Sequence, residues 1–196
     1  MPITVVKLGG SLVGAGTLAS WLDTVLTLGR GRAVIVPGGG VFADAVRAAQ
    51  TRFGISDRAA SRMAVLAMEQ YAHVLLDLAP SLQACAGASA IRAALAASGV
   101  ALWLPSVMVD GDPAIAASWD VTSDSLAAWL ARRLEAERLV LVKSAAVPPP
   151  PVTAAQLTGL GLVDAAFPVY ADAAGCALFC CGPGEHGRLA EAIGLG

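Results

Sequence analysis

"VVKLGGSLVGAG" (residues 5–16) passes from a short apolar run into a lysine and then into glycines at positions 9, 10, 14 and 16. A β-branched run with no alternating polar residue reads as a strand covered on both faces, as strands of parallel sheets are. Glycines packed this densely at a strand's carboxyl end bring backbone close to another body, either a ligand or another part of the chain. A second strand, "AVIVP" (33–37), runs into "PGGG" (37–40) in the same way. In an open parallel sheet ligands sit at that edge, and amides at the helix starts favour anions there.

Outward from these two turns, "VALWLP" (100–105), "RLVLV" (138–142) and "GCALFCC" (175–181) also read as strands. Helical patterns occupy 17–28, 41–53, 57–79, 88–98 and 122–136, and "GEHGRLAEAIGL" (184–195) reads as a closing helix. In the fifth, Leu126, Trp129, Leu130 and Leu134 share one face, and Thr122 or Ser123 can cap the N-terminus. Strands alternating with helices predict an α/β fold, a three-layer αβα sandwich around a largely parallel sheet. Residues 144–172, which begin "SAAVPPPPVTAAQLTGLGLVDAAFP", read as a loop-rich excursion with one short helix. No repeat or second-domain boundary is visible, so 1–196 is expected to form a single domain.

The chain's 196 residues suffice for a sizeable core. Hydrophobic residues make up 56% and charged residues 14%, which favours a homo-oligomer. The net charge is −2 and the thirteen Lys and Arg are scattered, so neither nucleic acid nor an anionic membrane is an expected partner. The start lacks a charged segment followed by a long apolar run, and the longest apolar stretches are interrupted by Gly99 and Pro105 or by "VPPPP". A cytoplasmic protein is expected. Cys85, Cys176, Cys180 and Cys181 lack CxxC spacing and read as small apolar fillers rather than metal ligands or a disulfide pair.

Three chemistries compete for the glycine turns. "GAGTLA" (14–19) matches a dinucleotide turn but begins too far past the strand, and "IVPGGG" ends without an acid for ribose hydroxyls. "GGSLV" has Val13 where a nucleophile elbow needs glycine, and His73 and His186, the only histidines, make no convincing triad. Phosphate binding fits better, although no Walker A sequence is present. Lys7 ends the first strand just before Gly9, Gly10 and Ser11, and Lys143 ends "RLVLVK" at the equivalent place. "SWDVTSDSLAAWLA" (118–131) sets Asp124 in a helix's first turn. Each alone has a plain structural explanation, but together they suit phosphoryl transfer. Cations and amides neutralise the migrating group and a carboxylate holds the lysines.

At this point the residues resemble the amino acid kinase superfamily, which includes acetylglutamate kinase, aspartokinase and bacterial uridylate kinase. The order "KLGGS", "PGGG", "TSDSLAA" and "LVLVKSAAV" is that family's, over about the first 145 residues. The resemblance implies ATP and Mg²⁺ as cofactors, with no protein metal ligand assigned. Lys7 and Lys143 would contact the phosphates and the transferred group, with Asp124 orienting them. Gly9, Gly10, Ser11, Gly38, Gly39 and Gly40 would line the phosphate and acceptor sites. "MAVLAMEQYA", "LWLPS" and "GLGLVDAAFP" look like the small kinases of methanofuran biosynthesis, which convert [5-(aminomethyl)furan-3-yl]methyl phosphate to its diphosphate. The acceptor side is then expected mainly in 1–130 and the nucleotide side in 131–196.

Most superfamily members follow the late strand with a "DVDG" or "DVPG" turn, whereas "SAAVPPPP" carries no carboxylate. That departure keeps open a non-catalytic nucleotide- or oxyanion-binding protein. Other anionic acceptors (UMP, a carbamate, isopentenyl phosphate) stay open as well. Neither histidine lies near a glycine turn, and an acceptor that is already an anion needs no general base. Arg47, Arg58 and Arg62 are candidates for an acceptor phosphate, Asp44 for a substrate ammonium, and Trp119 for stacking on a furan ring. Ser123, in the helix-start segment, is a further candidate for substrate binding. His73, within "YAHVLLDL", is expected to be a core histidine.

Overall fold

The computed structural model describes residues 2–12, 14 and 16–194. Val13 and Ala15, within the stretches weighed above as an elbow and a dinucleotide turn, lie outside them. Leu195, the end of the expected closing helix, does too.

Strand β1 (Thr4–Leu8) leads through a 3-10 turn (Gly10–Leu12) to helix α1 (Leu18–Leu28) and strand β2 (Ala33–Pro37). Helices α2 (Gly40–Phe53) and α3 (Asp57–Leu78) follow, then strand β3 (Gln83–Cys85), helix α4 (Ala88–Ala96), strand β4 (Ala101–Trp103) and the short helix α5 (Ser106–Val109). Helix α6 (Ser123–Leu134) precedes strand β5 (Arg138–Val142), helices α7 (Ala154–Gly159) and α8 (Phe167–Ala174), strand β6 (Ala177–Cys181) and helix α9 (His186–Gly194). All strand pairs are parallel, in the order β3-β4-β2-β1-β5-β6. The expected α/β sandwich is the observed one.

Strand parity decides which side chains reach the site. Val5 points into one core layer, with α6 and α4, while Val6 and Leu8 point into the other, with α1 and α9. In β5, Leu139 and Leu141 share the first layer, and Val140 and Val142 the second. Lys7 and Lys143, at odd positions, therefore both belong to the α6 side. Leu8 is in register with Val142, so Lys143 stands one step beyond the paired ladder, level with Gly9. The chain leaves β1 for β2 on one flank, and leaves β5 for β6 on the other. That reversal between neighbouring strands opens a crevice at their carboxyl ends.

Helix α6 packs between the sheet and α8, and Leu126, Trp129, Leu130 and Leu134 are all buried. The excursion at 144–172 holds two helices rather than the expected one. Helix α7 begins at a capping box: Thr153 Oγ1 accepts from Gln156 N and the Gln156 side chain accepts from Thr153 N, each at 3.2 Å. Helix α8 carries Pro168 in its first turn, where the missing N–H costs nothing. Strand β3 and helix α5 go beyond the sequence expectation; "QAC" is three residues long with two of them exposed. His73 is exposed on α3 rather than set in the core, because the buried face of that helix runs through Met68, Tyr71, Ala72 and Leu75. No helix among the described residues is long and apolar enough to cross a membrane.

Candidate active site

The glycines at the two strand ends are pressed first of all against each other. A Cβ on Gly10 would lie 2.2 Å from the Gly40 nitrogen, and one on Gly38 would lie 2.4 Å from the Gly10 nitrogen. Gly40 itself has φ +52°, a left-handed conformation that L side chains avoid. Only two bare backbones can close to this distance. Their contact sets the start of α2, whose first amides lack intrahelical acceptors, beside the end of β1. Gly9 lies against the neighbouring strand, its N–H donating to Val142 O at 3.2 Å.

Over that contact three buried charges converge. Lys143 Nζ donates to both carboxylate oxygens of Asp124, at 2.7 and 2.8 Å. Lys7 Nζ lies 3.0 Å from Asp124 Oδ1. Burial alone would raise the Asp124 pKa, but the two ammonium groups outweigh it and hold the carboxyl below the usual carboxylate range. Lys143 is pushed down to about 8 by its burial and by Lys7, with Asp124 opposing. Two cations share one anion, so the cluster keeps a surplus positive charge in a place with little water. As a purely structural device that is expensive; as a seat for an anion it is pre-organised. The hydroxyls of Ser11 and Ser144, which follow the two lysine strands, are hydrogen-bonded to each other at 2.7 Å. A Cβ on Gly9 would lie 3.9 Å from Lys7 Nζ and 3.7 Å from Ser11 Oγ, which puts both groups at the same turn.

Asp124 owes its place to the first turn of α6, and that turn is fastened differently from the sequence expectation. Thr122 occupies the N-cap position, but its side chain accepts no capping hydrogen bond, and neither does Ser123. The carboxylate of Asp164, on the connection between α7 and α8, does the capping instead. Its Oδ2 accepts from Thr122 N (2.9 Å), Thr122 Oγ1 (2.7 Å) and Ser125 N (3.1 Å), and its Oδ1 accepts from Ser125 Oγ. Its only sequence signal was an acid in a segment that reads as loop.

A cavity of about 460 Å³ opens beside these loops. Gly10, Ser11, Gly39, Gly40, Asp44, Trp119 and Ser123 line it, and Val65, Met68, Ile115 and Leu126 give it an apolar wall. Gly38 is not at its surface; its N–H bonds Leu8 O, joining the strand ends. Arg47 also lines it, with its guanidinium 4.2 Å from the Trp119 ring centroid and 2.9 Å from Asp44 Oδ1. The Trp119 indole N–H donates to Gln50 Oε1. Asp44 is thus already paired with Arg47, at the exposed rim. Arg62 and Arg58 line a second cavity of about 660 Å³, and Arg62 pairs there with Asp110 at 3.1 Å. Ser61, Val65, Val109 and Ile115 border both cavities. Neither histidine borders either one. The described residues include no cluster of three His, Cys, Asp or Glu able to hold a metal ion.

Residues 2–146 match the amino acid kinase family. Over 138 residues the chain is 27% identical to the [5-(aminomethyl)furan-3-yl]methyl phosphate kinase of Methanocaldococcus jannaschii, a span of 70% of this chain and 63% of that protein's length. In fold it is similar to the uridylate kinase from Archaeoglobus fulgidus, with a TM-score of 0.70 at 15% identity over 98% of this chain and 95% of that one. It is similar also to the aspartate kinase from Synechocystis, with a TM-score of 0.66 at 14% identity over 92% of this chain and 37% of that one.

Proposed function

The chain belongs to the amino acid kinase family, and from that premise we propose that it transfers the γ-phosphoryl group of ATP to a small acceptor that already carries a phosphate. [5-(Aminomethyl)furan-3-yl]methyl phosphate, the substrate in the name of the M. jannaschii relative, is the preferred acceptor. The observation that carries this reading is the convergence of Lys7 and Lys143 on Asp124, behind the Ser11 and Ser123 edge of a mostly apolar cavity whose lining the three do not join.

In the transfer, an acceptor phosphate oxygen forms the new P–O bond while the bond from the γ-phosphorus to the β–γ bridging oxygen breaks, and ADP leaves with that electron pair. Lys7 and Lys143 offset the charge spread over the γ-oxygens, and Asp124 keeps both aimed without taking a proton. The glycine turns let the phosphates approach backbone. No histidine borders the cavity, and Asp124 is committed to the lysines, so a pre-ionised acceptor suits the site better than a neutral hydroxyl. The apolar wall and Trp119 suit a flat furan ring. Mg²⁺ would screen the phosphate charge when bound; the described residues include no His, Cys, Asp or Glu cluster to hold it, so nucleotide oxygens and water would supply most of its ligands. The acceptor then occupies the 1–130 side, and the nucleotide extends toward 131–196.

A second reading has one observation in its favour. Residues 144–151 contain no acid after Lys143, which suits a protein that binds a nucleotide without using it. ADP release measured with the furan phosphate, UMP, carbamate and isopentenyl phosphate separates the readings. At least tenfold higher kcat/KM on the furan phosphate is expected. ATP binding by calorimetry with no ADP formed from any acceptor overturns the kinase reading.

A further inference from the structure

Asp124 can serve two lysines only while the start of α6 stays in place, and α6 does little to hold its own start. Its N-cap residue, Thr122, makes no capping bond. Four donors from that turn, two backbone and two hydroxyl, instead converge on the single carboxylate of Asp164. Asp164 is itself moored. Ala166 N donates to Asp120 O at 2.9 Å, Phe167 next to it is fully buried, and α8 packs along α6.

We propose that Asp164 is a positioning residue for phosphoryl transfer, holding the first turn of α6 so that the Asp124 carboxylate faces both lysines while Thr122 and Ser123 face the cavity. An anion is the suitable clamp. Two oxygens offer enough lone pairs for four donors, and the negative charge complements the N-terminal end of the helix. The tolerance is small: Asp124 holds Lys143 at 2.7 and 2.8 Å and Lys7 at 3.0 Å, so a shift of about 1 Å takes these contacts out of hydrogen-bond range. The C-terminal part of the chain, where the family's usual acidic turn is missing, thus contributes to the site from behind the helix.

The consequence for turnover rests on the kinase reading; the consequence for Lys143 does not. The test therefore has two readouts on the full chain. Titration of the Lys143 ammonium, followed by NMR in lysine-labelled protein and assigned with Lys143→Arg, is made without substrate. The groups facing it are Lys7 from β1, Asp124 from α6 and Cys180 from β6. Asp164→Ala loosens Asp124 and removes the attraction that raises Lys143, so its midpoint is expected at least half a pH unit below wild type. The same variant is expected to lose about 10²-fold in kcat while the KM for ATP changes little. Asp164→Asn keeps one acceptor oxygen and is expected to fall between. If Asp164→Ala does not fold, Ser125→Ala removes one hydroxyl donor and should move the midpoint the same way by less. A folded Asp164 variant with a lower melting temperature but an unchanged Lys143 midpoint and kcat reduces Asp164 to a brace and overturns the proposal. Wild-type protein inactive on every acceptor refutes the kinase reading instead, and the titration still decides the role of Asp164.

Discussion

Lys143 holds both oxygens of Asp124, at 2.7 and 2.8 Å, whereas Lys7 holds one of them, at 3.0 Å. One anion divided between two cations leaves a surplus charge, and the surplus predicts an unusual mutational pattern. Lys143→Met leaves Lys7 and Asp124 as a balanced pair, so the urea midpoint is expected to hold or rise while kcat falls by about 10²–10³-fold. Asp124→Asn strands two buried ammonium groups and is expected to cost about 3–5 kcal/mol in the same melts. Wild-type turnover in Lys143→Met overturns the assignment of that lysine to the transferring phosphoryl group.

The pH dependence follows from the same imbalance. Burial and the neighbouring Lys7 push Lys143 down to about 8 in the folded chain, from an ordinary lysine value of 10.5. Turnover that needs its ammonium is expected to decline as pH rises through about 8 in kcat/KM, which reports the free enzyme. Stability moves oppositely. Between those two values the unfolded chain binds more protons, so this group's contribution to unfolding free energy rises with pH from about 8 toward 10.5. Below 8 its destabilising effect is fully present. Urea melts at pH 7, 8.5 and 10 check the sign as the difference between wild type and Lys143→Met, since burial pushes the Cys180 and Cys181 thiols up to about 11 and about 12 and lowers stability at the alkaline end in both. Asp124 gives a slope of the same sign in a more acid window: its carboxyl is held low, so its stabilising contribution is present at neutral pH and is lost in acid.

Strands β1, β2 and β5 were legible because unbroken apolar runs admit only a doubly covered sheet, and strand parity then places Lys7 and Lys143 on one face. Asp124 was legible from the helix start around it. Strand β3 was hidden because three residues, "QAC", carry no periodicity. Helix α8 was hidden because Pro168 reads as a breaker until it is known to stand at a helix start. The role of Asp164 was beyond local reading altogether: its partners, Thr122 and Ser125, lie 42 and 39 residues away, and only tertiary packing brings them together.

The contact between the glycine turns is testable by adding a single carbon. Gly10→Ala puts a methyl 2.2 Å from the Gly40 nitrogen, and backbone cannot yield as a side-chain tip can. The expected cost is about 1–3 kcal/mol in urea melts, together with reduced turnover as the turns separate. Gly87→Ala is the control. Its added Cβ meets nothing within 4 Å, and both stability and turnover are expected to stay near wild type. Equal melts for the two variants would mean that the turns are not in register as described.

On the cavity rim, Arg47 links Asp44 to the face of Trp119 and is half exposed. On the proposed kinase reading an incoming acceptor phosphate would compete with Asp44 for the guanidinium, and a charge-assisted hydrogen bond of that kind contributes about 1.5–3 kcal/mol. Arg47→Ala is therefore expected to raise the KM for the phosphorylated acceptor about tenfold or more, leaving the KM for ATP within about twofold, since every 1.4 kcal/mol is a factor of ten. Arg62→Ala provides the contrast. Its guanidinium lines the neighbouring cavity and pairs with Asp110, so the KM of a small acceptor is expected to change little. If Arg62→Ala rather than Arg47→Ala raises that KM, the acceptor sits in the second cavity, and the Trp119 side of the cavity is not its binding face.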